Sequence, residues 1–284
     1  MTINTIQTWN EVEKYIEAVE KGADRKEQWE KIVIEPYWEK LCCYAPMDLS
    51  ERKPVAIQNI AKLKEQVKLL KNLDICKLKE QFERIVDILP NYDDDPITVA
   101  LFPLDAGNTV VNEKQNGVVG TSLFGNLMIQ INPFVKDYES WIPYVFAHEY
   151  HHTVWGNYWF MLHAGSLENK LIDSLIIDGE ADSFALSLYP ELKPKWIFDM
   201  PKEEVCALWN THYKDNVLKR DMDYAKYMFG KEEEGIPWCA GYAIGYMLVQ
   251  QYLKETGETI LNLLEKKPED ILKRSKLLQW NIEI

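Results

Sequence analysis

The stretch Phe146-Ala147-His148-Glu149-Tyr150-His151-His152-Thr153 places two histidines four residues apart, with a glutamate directly after the first. On a helix, residues four apart lie about 40° apart around the axis, so His148 and His152 can turn two imidazoles toward one ion. Glu149 follows His148 at about 100°, which sets a carboxylate beside the pair. Two neutral nitrogen ligands and a carboxylate next to a polarised water are what zinc-assisted hydrolysis requires. Three of the chain's five histidines fall in this five-residue window, and burying so many imidazoles costs free energy unless something binds them. The neighbours Tyr144, Val145, Phe146, Ala147, Val154 and Trp155 are apolar, which argues against an exposed His-rich helix. His151 lies on the far side of His148 from Glu149 and reads as a supporting residue rather than a ligand.

A third protein ligand has to come from elsewhere in the chain. Residues Lys170 to Ala185 read as a second buried helix, stopped by Pro190. With Asp178 set at 0°, Leu171, Leu175, Asp182 and Ala185 fall within about 60° of it, whereas Glu180 lies near 200° with Asp173 and Phe184. Asp178 and Asp182 therefore share an apolar-flanked face, where a carboxylate pair is costly without a cation or donors. Asp178 on the ion, and Asp182 on the free ring nitrogen of a liganding histidine, would satisfy both and fix that ring's tautomer. Gly179 costs about 1 kcal/mol in a helix interior relative to Ala and is expected to let this helix approach the His-bearing one closely.

The elements that must position these residues are legible by periodicity. Residues 8 to 42 read as helical, with Trp9, Val12, Tyr15, Ile16 and Val19 recurring at threes and fours. A second helical stretch runs from about Pro54 to Leu89, striped by Ile57, Ile60, Leu63, Val67 and Leu70. Cys76 falls in its continuation and reads as core, having no basic neighbour to make it reactive. Asn91 to Pro96 reads as a turn, and its three consecutive aspartates lack the alternating ligands of a calcium loop. Ile97–Phe102 and Gly125–Asn132 have β-type composition, with a Gly-containing loop expected over 117–122. The Gly125–Asn132 strand, just ahead of the metal-binding helix, is a candidate edge for an extended substrate. That helix is expected to begin near Trp141, with Pro143 in its first turn. A last helix is expected from Pro237 through Gly241, Tyr242, Gly245, Tyr246 and Val249, its small residues allowing tight packing.

Composition bounds the function. The chain has 284 residues, 46% hydrophobic and 27% charged, as an ordinary globular protein does. A net charge of -13 argues against nucleic-acid or anionic-membrane partners, which need clustered Lys and Arg. The Lys62–Lys71 run alternates with Leu and Val at helical spacing and reads as a solvated face. Five cysteines form no framework and fit reduced thiols. The N-terminus has no signal-peptide pattern, and no apolar run is long enough to span a bilayer, so a cytoplasmic location is expected.

Three segments together carry a resemblance: His148 to His152, Leu171 to Ala185, and Gly235 to Tyr246. They resemble the bacterial YjaZ-like family of predicted zinc-dependent proteases, over roughly residues 95 to 275. The family looks like the gluzincins, whose second motif is Glu-Gly-x-Ala with the Glu as third ligand, so Asp178 stands here where a Glu is usual. The resemblance implies a zincin-like α+β fold, predominantly helical with a small sheet, in which His148, His152 and Asp178 hold Zn²⁺ and Glu149 is the general base. It further implies that a Tyr or His faces the metal to stabilise an oxyanion, with Tyr242 the first candidate, Tyr246 equal to it in sequence terms, and His212 outside. His163 reads as a loop histidine. An N-terminal helical region, 1–94, and a catalytic domain, 95–284, are expected. The activity implied is zinc metallopeptidase on a peptide or protein substrate. The alternative is a regulatory binding protein that retains the fold and metal without turnover.

Overall fold

The structure, a computed structural model, describes residues 2–275. It is an α+β structure, largely helical with one four-stranded sheet. Contacts divide the chain into two compact units, Met1–Val154 and Trp155–Ile284, and the boundary expected at residue 94 falls inside the first.

The sheet belongs to the first unit. Strands β1 (Ile3–Gln7), β2 (Ile97–Pro103), β3 (Val118–Leu123) and β4 (Asn126–Ile131) lie in the order β1-β2-β4-β3. β1 and β4 run parallel to β2, and β3 runs antiparallel to β4. Every residue of β2 is buried, which is why its sequence is, apart from Thr98, a continuous apolar run rather than an alternating one. β1 is a strand that local pattern does not announce. Its five residues are held by register, from Ile3 opposite Ile97 to Gln7 opposite Leu101, so the N-terminal region is not wholly helical.

The loop expected over 117–122 is instead β3. It is joined to β4 by Phe124 and Gly125, both at positive φ (56° and 120°), the backbone a two-residue hairpin turn demands. β4 is consequently interior, and the open edge beside it is β3, a correction to the edge expected at Gly125–Asn132.

Helix α1 (Trp9–Glu20) is shorter than the 8–42 pattern. Gly22, at φ 91°, lies just beyond it. Asp24 then caps a new start by accepting the Glu27 N–H at 2.8 Å. The chain continues through a π-helical stretch, Trp29–Ile34, into Glu35–Leu41. The 54–89 stretch is likewise two helices, α2 (Ile60–Leu70) and α3 (Ile75–Ile88). Each opens on a side-chain cap, Asn59 to the Lys62 N–H and Asp74 to the Lys77 N–H. Cys76, expected in the core, is exposed, because the buried stripe of α3 begins at Leu78.

Helix α4 (Tyr138–Gly156) carries the histidines. It starts three residues before Trp141, so Pro143 sits inside it rather than in its first turn and leaves the Glu139 carbonyl without a helical donor.

The second unit is built on α5 (Leu171–Leu188) and α6 (Ala240–Thr256). A Cβ on Gly179 would lie 2.3 Å from the carbonyl carbon and oxygen of Gly245, and one on Gly245 would lie 2.0 Å from the Leu175 oxygen. Gly179 therefore admits the close approach of α6. α6 begins at Ala240, later than Pro237, because Cys239 takes a left-handed conformation at φ 57°. Leu171, Leu175, Trp209, Tyr213, Ile244 and Leu248 are among the residues of the core around this pair. Among the described residues no helix is long and apolar enough to cross a membrane, and all five cysteines are free thiols.

Candidate metal centre

Aromatic packing fixes the rotation of α4. Phe146 stacks on Phe82 of α3 with ring centroids 4.0 Å apart and on Tyr150 at 5.7 Å. The Tyr150 hydroxyl donates to the Leu89 carbonyl at 2.8 Å. With that face committed to the core, His148 and His152 converge, their Nε2 atoms 3.1 Å apart and their rings nearly perpendicular at 88°. Two nitrogens each about 2.0–2.1 Å from one tetrahedral ion would lie about 3.3–3.4 Å apart, so the observed pair matches what a zinc ion requires. Ligand atoms of His148, His152 and Asp178 all lie within 4.8 Å of one another. Asp178 is nearly fully buried, where an ionised carboxylate is costly without a cation or donors. The donor set therefore fits a divalent, nitrogen-preferring metal. Glu180, two residues on, is not among the three residues whose ligand atoms converge; it is fully buried, and burial pushes its carboxyl well above the usual range.

Glu149 is held from the sheet. Its Oε2 accepts the Ser122 backbone N–H at 2.8 Å, a charge-assisted bond that orients the carboxylate. Gly120, two residues earlier on β3, makes room for it. A Cβ there would stand 2.3 Å from Glu149 Cγ and 2.7 Å from Val145 Cγ1. His151 is buried.

In the second unit, Asp182 is fully buried and both its oxygens accept from the Trp196 indole N–H, at 3.2 and 3.1 Å. Tyr246 is half-buried and edge-on to Phe198 at 5.8 Å. Burial, with the Asp182 charge adding to it, pushes the Tyr246 phenol up. Tyr242 packs instead with Phe229, at 6.0 Å, against the hydrophobic core. His212 lies in the π-helical stretch Trp209–Tyr213, its Nε2 3.5 Å from where a Gly235 Cβ would be. His163 is exposed, with Nδ1 3.0 Å from the Tyr158 carbonyl.

Gly120, Ser122 and Trp196 are site residues that motif reading passes over. The first two had a signal: Val118 to Ile131 contains two β-type runs separated by Phe124-Gly125, a hairpin pattern. Trp196 had none, since nothing local ties it to Asp182.

The uncharacterized protein YjfC of Bacillus subtilis (strain 168) is 31% identical over 134 residues, a match that spans 42% of this chain and 42% of that one. No solved structure matches. A family model described as predicted Zn-dependent protease (DUF2268) matches residues 76–273, which contain both histidines, Glu149, Asp178 and the α5–α6 pair. The chain belongs to that family of predicted Zn-dependent proteases.

Proposed function

We propose that the protein is a zinc metallopeptidase of zincin-like fold, hydrolysing peptide bonds with a metal-activated water. The observation that carries this reading is the convergence of the His148, His152 and Asp178 ligand atoms within 4.8 Å of one another, with the Glu149 carboxylate alongside on the same helix as the histidines. His148, His152 and Asp178 would hold the ion, which when bound supplies a Lewis acid that polarises a carbonyl and acidifies water. Glu149 is the proton carrier. It takes a proton from the attacking water and returns it to the departing amine, and the Ser122 N–H keeps its carboxylate aimed while it does so.

Oxyanion stabilisation falls to a phenol on α6. Tyr246 is the better supported, because it lies near Asp182 on the carboxylate-bearing side of α5, whereas Tyr242 is engaged by Phe229 and the core. An extended peptide would pair with the outer edge of β3 at the Gly120 N–H, the Val118 N–H being taken by the Gln115 carbonyl at 3.2 Å. Alternate residues of an antiparallel strand direct both backbone groups to the same side, and Ser122 shows which side by giving its N–H to Glu149.

Glu149→Gln tests the reading. The amide keeps the side chain's size and loses its basicity, so zinc content and melting temperature stay as in the wild type while cleavage falls about 10²- to 10⁴-fold. His148→Ala loses zinc and cleavage together. A regulatory protein that only binds metal gives no cleavage in the wild type and no change on Glu149→Gln.

A further inference from the structure

Ser122 is an outward-facing residue of the edge strand, and both its backbone groups are engaged by side chains. Its N–H goes to Glu149 at 2.8 Å and its carbonyl accepts from Arg52 Nη1 at 3.2 Å. The N–H and C=O of one strand residue leave the backbone on the same side, so a guanidinium is held about one residue's length, ~3.3 Å, along the edge from the proton-carrying carboxylate. Arg52 sits in a single helical turn, Ser50–Arg52, that is itself fixed: the Asp48 carboxylate accepts the Ser50 N–H at 2.9 Å and the Ser50 hydroxyl at 2.8 Å. The preceding segment is tied to the same end of the hairpin. Asn126 Nδ2 donates to the Lys40 and Leu41 carbonyls at 3.1 and 3.2 Å, and the Tyr44 ring lies against Gly125.

Arg52 is exposed, and among the described residues no carboxylate pairs with it. One of its five N–H donors is used; the others retain the planar fork that matches a carboxylate bidentately. A net charge of -13 disfavours an anionic peptide overall, and an oriented guanidinium beside the catalytic edge runs against that general charge. We infer that Arg52 binds a carboxylate of the peptide within about two residues of the scissile bond, which makes the substrates peptides cut next to a free C-terminus or next to an acidic side chain. This rests on the peptidase reading above. A purely protective role, a cation blunting a strand edge, needs no carboxylate.

The test uses zinc-loaded full-length protein and N-acetylated hexapeptide libraries of three kinds: C-terminal acids without Asp or Glu, the same library as C-terminal amides, and amides containing one internal Glu. Products are read by mass spectrometry. Either the acids or the Glu-containing amides should be cut about 10- to 100-fold faster than the neutral amides, with cleavage placed within two residues of the carboxylate; which of the two it is identifies the source. Arg52→Ala should erase that preference while leaving zinc content and melting temperature unchanged, and Arg52→Lys should restore part of it. Binding of N-terminally dye-labelled acid and amide peptides to Glu149→Gln, read by anisotropy, should show the same preference without turnover. Equal cleavage of all three libraries, or a preference that survives Arg52→Ala, overturns the role of Arg52 and leaves the peptidase reading standing. No cleavage of any library, with equal binding of acid and amide, overturns both.

Discussion

Gly120→Ala separates the positioning of the general base from the holding of the metal. The added Cβ would stand 2.3 Å from Glu149 Cγ, 2.8 Å from Glu149 Cδ and 2.7 Å from Val145 Cγ1. Carbon atoms rest about 3.5–4.0 Å apart, so the Glu149 side chain must retreat by more than about 1 Å. Gly120 has no positive φ, and Ala is therefore tolerated by the backbone itself. The retreat lengthens the 2.8 Å bond from the Ser122 N–H, a hydrogen bond to a charged group worth about 1.5–3 kcal/mol. A 1 Å misplacement of a reacting group costs about 10²-fold in rate. We expect Gly120→Ala to cut cleavage of a fixed peptide about 10²-fold, with kcat bearing the loss, and to leave zinc stoichiometry at the wild-type value. The three atoms nearest the added Cβ belong to Glu149 and Val145, not to the histidines. Steady-state kinetics beside elemental analysis measures both. A Gly120→Ala protein with wild-type kcat, or one that cleaves poorly only because its zinc is gone, refutes the assignment of Gly120 and Ser122 to Glu149.

Gly179→Ala makes a contrasting case, since its Cβ would meet the Gly245 backbone at 2.3 Å and not a movable side chain. Overpacking of this kind costs about 1–3 kcal/mol or more, so the melting temperature should drop clearly, and an unchanged value would show that α5 and α6 are not in contact there. Asp173 offers a pH test. Burial, with Glu269 adding to it against the Lys170 N–H and charge, pushes its carboxyl up to about 6 from an ordinary 3.8. Between those values the folded chain binds more protons than the unfolded one, so stability falls as pH rises through the window and stays lower above it. Asp173→Asn keeps an acceptor for the Lys170 N–H and removes the charge. It should therefore be more stable than wild type at pH 7.5, by about 1–2 kcal/mol after solvent screening, and equal to it near pH 3.5. The same difference at both pH values would contradict the shift.

Much of the site is local information. His148, Glu149 and His152 are related by one helical turn, and a helix has one geometry, so their mutual placement follows from spacing alone. The same arithmetic put Asp178 and Asp182 on one face of α5. It could not say what meets each face, because α5 is buried nearly all round and its hydrophobicity has no direction. That is why the close approach of α6 at Gly179 and the Trp196 indole on Asp182 come from the structure and not from the pattern.

The sheet shows the limit most clearly. β2 declares itself by its apolar run, but β1 is a strand only because Ile3 to Gln7 find Ile97 to Leu101 some ninety residues away, and strand propensity is largely a property of such neighbours. Which strand forms the edge is likewise a matter of order, not of composition. Chain order suggested β4 beside the metal helix, and pairing places β4 inside and β3 outside. The amino-acid sequence by itself determined the candidate metal-ligating types, their helical spacing and the family. Only the tertiary structure decided that Gly120 and Ser122 cradle Glu149 and that Arg52 reaches the same edge, because those contacts join residues 27 and 70 positions apart, and no local period encodes a distance of that length.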